Sequence, residues 1–264
     1  MPKISVVIPC FNQGAYIPDA LNSVLAQSYR DFEIIVINDG STDRETTVIL
    51  EQLAFPKTRV VHTSNQGLAA ARNNGIREAL GNYILPLDAD DRISPAYLEK
   101  AAAVLDIHPE VGFVYSLARL FGARRGMFYL NEGTLGDMLL DSRIFCSALF
   151  RKADWEAAGG YNANMLYGWE DWDFWLSLLE QGKTSYLIPE VLFHYRVKKN
   201  SMIRAMSLKE KLAMHQQLFD NHRDLYCQNI GLVFEEYHRL KDSWYGKLSE
   251  LIRKIFFNLK HLGK

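Results

Sequence analysis

Cysteine is scarce: three residues in a chain of 264, at Cys10, Cys146 and Cys227. They are far apart, odd in number and form no CxxC or Cys/His metal spacing, which favours buried or inert thiols over ligands. Inert thiols in a reducing compartment are expected. A charge excess is missing too. Thirty Lys and Arg stand against thirty-one Asp and Glu, a net charge of -1, so no global field points to nucleic acid. No window approaches the roughly 18–20 consecutive apolar residues that span a bilayer. The opening MPKISVVIPCFNQG breaks at Pro9 and Asn12 and reads as a strand, not a signal peptide. The expectation is a cytoplasmic protein with room for peripheral contact on the inner face of a membrane.

Several catalytic signatures are also missing. No GxGxxG follows the first apolar run, which leaves a dinucleotide site unsupported. Gly182-Lys183-Thr184 mimics the end of a phosphate-binding loop, but Ser177 stands where that loop needs glycine. Neither GxSxG nor HExxH occurs, and there is no internal repeat or low-complexity segment.

What is present alternates. Ile4–Ile8 is a buried-strand run ended by Pro9, followed by a helical pattern over Tyr16–Leu25. Phe32–Ile37 is a second strand, and Ser41 or Thr42 is expected to cap a helix to about Leu53. Arg59–His62 is a third strand. Gly67–Leu80 is helical with Gly81 closing it, and Tyr83–Leu87 is a fourth strand. Strand and helix in strict alternation predict right-handed βαβ units, a parallel sheet and helices on both faces. Beyond Asp91 the reading is a helix near Pro95–Leu105, strands at Val111–Ala118 and Arg143–Phe150, and a hairpin or loop at 121–133. A turn at 157–161, a helix at 169–182 and strands at Thr184–Ile188 and Val191–Val197 follow, with helices from about Ser207. The predicted division is a first half at 1–95, a second at 96–205 and a helical C-terminal extension at 206–264.

Open parallel sheets bind ligands outside the carboxyl ends of their strands. Polar groups gather there: Asn12 after the first strand, Asn38, Asp39 and Asp43 after the second, Asp88, Asp90 and Asp91 after the fourth. One such Asp would be an ordinary turn or helix cap, and Asp91 could cap the segment from Ser94. Three carboxylates in four positions repel by roughly 1–4 kcal/mol per pair at about 4 Å. The common relief is a divalent cation, Mg²⁺ or Mn²⁺, that takes carboxylate oxygens together with substrate phosphates.

The stretches SVVIPCFNQGAYIPDALNSVLAQSYRDFEIIVINDGSTD, NQGLAAARNNGI, LPLDADD and GWEDWDFWLSLLEQG resemble glycosyltransferase family 2, in order from about residue 3 to about residue 200. That resemblance implies an α/β architecture of GT-A type, with a Rossmann-like, mostly parallel central sheet. It also implies a nucleotide-sugar donor, a DxD-type metal site and inversion at the anomeric carbon. Carried over, Pro9 and Asn12 would lie near the nucleotide, Asp39 would bond the base and Arg72 would reach the base or phosphates. Asp88 would touch ribose or donor sugar, Asp90 would hold the metal and Asp91 would orient the sugar. A carboxylate at the base favours uracil, whose ring N–H cytosine lacks.

An inverting transfer needs one base to deprotonate the attacking hydroxyl. The resemblance aligns its acidic pair with Glu170–Asp171, which assigns Asp171 as base and Glu170 to the acceptor. Asp173 reads as structural, and acids in a first helical turn also answer the helix dipole. In FHYRVKKNSM (193–202), His194 is either a third metal ligand or a core histidine. Arg196, Lys198 and Lys199 are either a mobile loop over a diphosphate, with Arg196 foremost, or a solvated charge run. Residues 244–264, WYGKLSELIRKIFFNLKHLGK, carry apolar residues at helical spacing among five basic ones. They suit an anionic membrane interface, the parent domain or a second subunit.

The leading expectation is transfer from a UDP-sugar to a hydroxyl of a glycan or lipid-linked acceptor, with Mn²⁺ or Mg²⁺ and no nucleic-acid partner. The alternatives are a dTDP- or GDP-sugar donor, and a nucleotide-sugar-binding partner subunit without transfer.

Overall fold

The computed structural model describes residues 1–128, 130, 133–142, 144–198 and 206–242. Strand β1 (Ile4–Cys10) is central. It pairs in parallel with β2 (Phe32–Asp39) and β4 (Tyr83–Pro86), and β2 pairs in parallel with β3 (Thr58–Thr63). The connections are α1 (Ile17–Leu25), entered through a 3₁₀ turn at Gly14–Tyr16, then α2 (Arg44–Glu51) and α3 (Leu68–Glu78). These are the expected βαβ units.

The second half adds β5 (Arg92–Ile93), α4 (Tyr97–Ile107), β6 (Val111–Gly122), β7 (Gly126–Phe128), α5 (Leu135–Leu140) and β8 (Leu149–Arg151). It continues with α6 (Lys152–Ala157), α7 (Glu170–Glu180) and β9 (Thr184–Val197). The sheet order is β3-β2-β1-β4-β8-β6-β9-β5, with β7 hairpinned onto β6. By paired length it is mostly parallel, the long β6–β9 pair included; β8 enters antiparallel between β4 and β6. Helices α8 (Leu208–Asn221), α9 (Arg223–Gln228) and α10 (230–242) follow. None of the described helices is long and apolar enough to cross a membrane.

Alternation along the strands sends side chains to two cores. Ile4, Val6 and Ile8 meet Leu21 and Val24 of α1 and Leu98 of α4. On the opposite face Val7, Ile35 and Ile37 meet Ile76 of α3 and Trp175 of α7. Met206, Met214 and Leu218 join this second core, with Val233 packed against it.

Several local expectations are corrected. Pro9 does not end β1; Pro9 and Cys10 still pair with β2, and β4 pairs with β1 only as far as Val7, so the missing N–H breaks no second ladder. Asp43 rather than Ser41 or Thr42 caps α2, its carboxylate accepting from Thr46 N at 2.7 Å. Asn12 has drawn both hydroxyls away: Ser41 Oγ accepts from its N–H, and Thr42 Oγ1 from its amide. Gly81 does not close α3, whose chain turns extended at Ala79. Its glycine is required because a Cβ would stand 2.6 Å from Ser5 N on β1. The strand read at Arg143–Phe150 shrinks to Leu149–Arg151, since Ala148 N donates to Cys146 O and bends the apolar run before it can pair. Beside Pro189 the two expected strands are one, β9, whose register shifts against β6 absorb Pro189 and Glu190. Segment 244–264 lies outside the described residues.

Candidate active site

The carboxyl ends of β1, β2 and β4 form the rim. After β1 the chain turns through Asn12 in the left-handed region, φ 53°, which an Asn tolerates better than most residues. Its side-chain oxygen accepts from Thr42 N at 2.8 Å and Asp43 N at 3.1 Å. Asn12 therefore joins two rim loops. Phe11 beside it is 42 % exposed, an apolar ring at the strand-end rim to which the sequence assigned no role. Its signal was an aromatic directly after a buried strand.

Asp39 is buried at the end of β2. One oxygen accepts from Gln66 N and the other from Gly67 N, both at 3.0 Å. It fixes the loop that enters α3 and keeps lone-pair capacity to spare, since a carboxylate offers about four acceptor positions.

The three aspartates separate clearly. Asp88 has the most exposed side chain (30 %), and its Oδ1 accepts from Arg72 Nη2 at 2.8 Å. Asp90 is nearly buried and pairs with Lys198 Nζ at 2.9 Å. Asp91 is buried and accepts from Arg196 N at 2.7 Å. Burial, and after it the charge of Asp88, raises the pKa of Asp90 and Asp91, that of Asp91 well above the carboxylate range. The crowding is thus held by cations: an ammonium at Asp90 and a guanidinium at Asp88.

Arg196 lies in strand β9 rather than in a loop. Its Nε donates to Asp90 O at 2.8 Å and its Nη2 to Asp19 at 2.6 Å. Its guanidinium stacks between Phe121 and Tyr16, 4.4 Å and 4.9 Å from the ring centroids. The expected mobile segment, from Lys199 on, lies outside the described residues. His194 pairs across the sheet with Arg92, next in sequence to Asp91. Its Nε2 is 2.9 Å from Ser94 Oγ, and burial followed by Arg92 and Arg119 lowers its pKa. A position beside two guanidiniums is poor for a metal, and among the described residues no three His, Cys, Asp or Glu side chains form a metal-holding group.

Arg72 is the hinge of the arrangement. It is 1 % exposed on α3, and its guanidinium reaches Asp88 with one nitrogen and Glu170 with another. Here both of its bonds go to protein carboxylates, Asp88 and Glu170. Such a buried pair is far more costly to break than to replace whole.

Across that guanidinium lies the start of α7. Glu170 is buried and Asp171 half-buried, with Asp171 Oδ1 accepting from its neighbour Trp172 N at 2.8 Å. Burial and the adjacent Glu170 push the Asp171 carboxyl up to about 7. Asp173, read as structural, is buried against Asn221 and His222. The rim aspartates and the α7 acids, some 80 residues apart in sequence, are thus one site. It gathers carboxylates paired with an ammonium and a guanidinium, and a carboxyl pushed up to about 7.

The sequence model of the family described as Glycosyl transferase family 2 matches residues 5–168. An uncharacterized glycosyltransferase of Haemophilus influenzae is 30 % identical over 210 residues, covering 75 % of this chain and 70 % of that protein. Bacillus subtilis TuaG, provisionally named a teichuronic acid biosynthesis glycosyltransferase, is 34 % identical over 208 residues, 76 % of this chain and 81 % of its own. Some relatives are much longer: the match to Streptococcus pneumoniae GlyA spans 19 % of that protein. Among solved structures, S. aureus TarS in complex with UDP-GlcNAc superposes with a TM-score of 0.65 at 18 % identity, covering 87 % of this chain and 73 % of that one.

Proposed function

The chain belongs to glycosyl transferase family 2, and from that membership we propose that it moves a sugar, with inversion, from a UDP-sugar to a hydroxyl of a glycan or lipid-linked acceptor. The observation that carries this reading is the Arg72 bridge, which sets the donor-side carboxylate Asp88 one guanidinium away from the Glu170–Asp171 pair. In this reading 1–95 bind the donor, 96–205 hold the acceptor and the base, and 206–264 are the helical extension. The choice of UDP is supported by TarS, solved with UDP-GlcNAc and with UDP.

Asp171 acts as the base. Near neutral pH its carboxyl is partly ionised, which balances available base against proton affinity. Glu170, fixed by Arg72, orients the acceptor hydroxyl toward it. Asp39 accepts from the uracil ring N–H with its remaining lone pairs, and the exposed Phe11 ring offers the base a stacking face beside Pro9 and Asn12. Asp88 and Asp91 hold ribose and sugar hydroxyls, and Arg196 with Lys198 provides positive charge for the diphosphate.

The residues fit a divalent cation at Asp90. A cation already stands there, the Lys198 ammonium at 2.9 Å, and a lone carboxylate beside phosphates is the donor set Mg²⁺ or Mn²⁺ accepts. Bound there, the ion would act as a Lewis acid for the departing diphosphate.

A thermal-shift screen of nucleotides with Mn²⁺ tests the donor. UDP compounds should stabilise the protein, by more as their concentration exceeds the dissociation constant; a shift only with other bases would sink the UDP assignment. Asp171→Asn should lower transfer by about 10²–10⁴-fold while UDP binding persists; surviving transfer would remove Asp171 as base. Residues 244–264 are proposed to touch an anionic membrane surface, and anionic vesicles that float equally well with the protein lacking them would exclude this.

A further inference from the structure

Trp169 has φ 65° and follows Gly168 at φ 118°. For a bulky side chain the left-handed region costs about 1–3 kcal/mol and persists only where the surroundings impose it. This strained turn delivers the chain into Glu170 and Asp171. Three residues of α8 and its end, His215, Asn221 and His222, reach the turn or the residues that flank it. The His215 ring lies 4.8 Å from Trp169 and 5.7 Å from Trp172. Asn221 exchanges two hydrogen bonds with Asn164 on the entering side, at 3.0 Å and 3.2 Å. It also donates to Asp173 Oδ1 on the leaving side. His222 Nε2 reaches the same Asp173 oxygen at 3.2 Å, while its Nδ1 lies 3.1 Å from Glu180 two turns further along α7. Asp173 and His222 are 2 % and 3 % exposed, so neither polar group has water as a substitute partner.

We propose that Asn221 and His222 are positioning residues of the transfer reaction, gripping Asn164 and Asp173 on either side of Gly168–Trp169 so that Glu170 and Asp171 keep their aim at the acceptor. The proposal rests on the reading of Asp171 as base. A helix that merely covered apolar core would need only Met214 and Leu218 there. Instead α8 carries polar groups to both sides of one turn. The family match ends at residue 168, so these residues lie beyond the segment it covers.

The test compares Asn164→Ala, Asn221→Ala, His222→Ala and His222→Gln in the full chain. The readouts are UDP release from UDP-GlcNAc with Mn²⁺, water taking the sugar in place of the acceptor hydroxyl and giving its proton to the base, and the fluorine resonance of Trp169 in 5-fluorotryptophan-labelled protein, assigned with Trp169→Phe. Asn164 is exposed, so its truncation leaves folding intact. The two alanine variants at 164 and 221 should lower kcat by about 10–100-fold, the scale of a small misplacement of reacting groups. KM for UDP-GlcNAc should stay within about twofold. His222→Gln, which keeps a donor for Asp173, should retain more kcat than His222→Ala. The Trp169 resonance should shift or split in Asn221→Ala. Asp171→Asn is assayed alongside: if it turns over normally, the base assignment fails. If it is inactive while Asn164→Ala and Asn221→Ala keep wild-type kcat, the positioning role is overturned and the base stands. An unchanged Trp169 resonance in Asn221→Ala overturns the grip whatever the donor.

Discussion

At the residue scale the site is a problem of charge placement. Asp171 ionises near pH 7 because its burial and the neighbouring Glu170 both disfavour a second negative charge. A base must be unprotonated to accept the acceptor's proton. We therefore expect kcat/KM to rise with pH on its acid limb through about 7 and then level. Removing the Glu170 charge should move that limb to lower pH; a Glu170→Gln profile unchanged in position would show that the limb belongs to another group. The sequence displayed these acids but not their pairing. LPLDADD and WEDWD are legible as strings, and the turn and dipole readings of each are ordinary. What could not be read is that Arg72 spends both ends on Asp88 and Glu170, since a helix-borne Arg gives no sign of which carboxylates lie beyond its own element. His194 shows the same: its two guanidinium neighbours, Arg92 and Arg119, come from β5 and β6, and nothing in its own segment announces them.

At the element scale the first half was legible because period and punctuation agree there. Apolar runs of four to eight residues alternate with amphipathic helices, and the chain offers few other ways to bury both. The second half was less legible. At Ile144–Ala148 an apolar run is buried without a strand ladder, and at Pro189 a bulge preserves a strand that the proline seemed to divide. Both depend on partners distant in sequence. Gly81 shows a glycine whose role is contact rather than turn geometry. A methyl there would meet Ser5 N at 2.6 Å and Ile4 C at 2.7 Å, backbone atoms that cannot rotate away. Gly81→Ala should cost about 1–3 kcal/mol, the usual range for overpacking. Urea unfolding would show this as a lower midpoint at unchanged slope; an unchanged midpoint would mean that the 79–82 connection shifts freely.

At the scale of the whole molecule the buried acids tie stability to pH. Asp90, Asp91 and Asp171 all have folded pKa values above their unfolded ones. Each therefore binds its proton more tightly in the folded state, and its contribution is lost as pH rises toward the folded value. His222 is also raised: burial, the largest single effect, lowers it, but Asp173 and Glu180 together outweigh that, and it loses its contribution as pH climbs above about 6.5. His194 and His215 are lowered, burial first, and work the other way, but only below about pH 6.5, where the unfolded imidazoles charge. From about pH 6.5 to 8 these buried acid and imidazole shifts therefore push in one direction, and the melting temperature of the ligand-free protein should fall across that interval. Asp171→Asn carries no titrating group at that position and should flatten the decline. A melting temperature that is constant or rising between pH 6.5 and 8 would show that the cluster is not held protonated. Occupancy reverses the logic. A bound cation favours the ionised aspartates, so the stabilisation given by UDP with Mn²⁺ should be larger at pH 8 than at pH 6.5. On the proposed reading, the carboxylates that weaken the empty protein at high pH would hold the loaded one together.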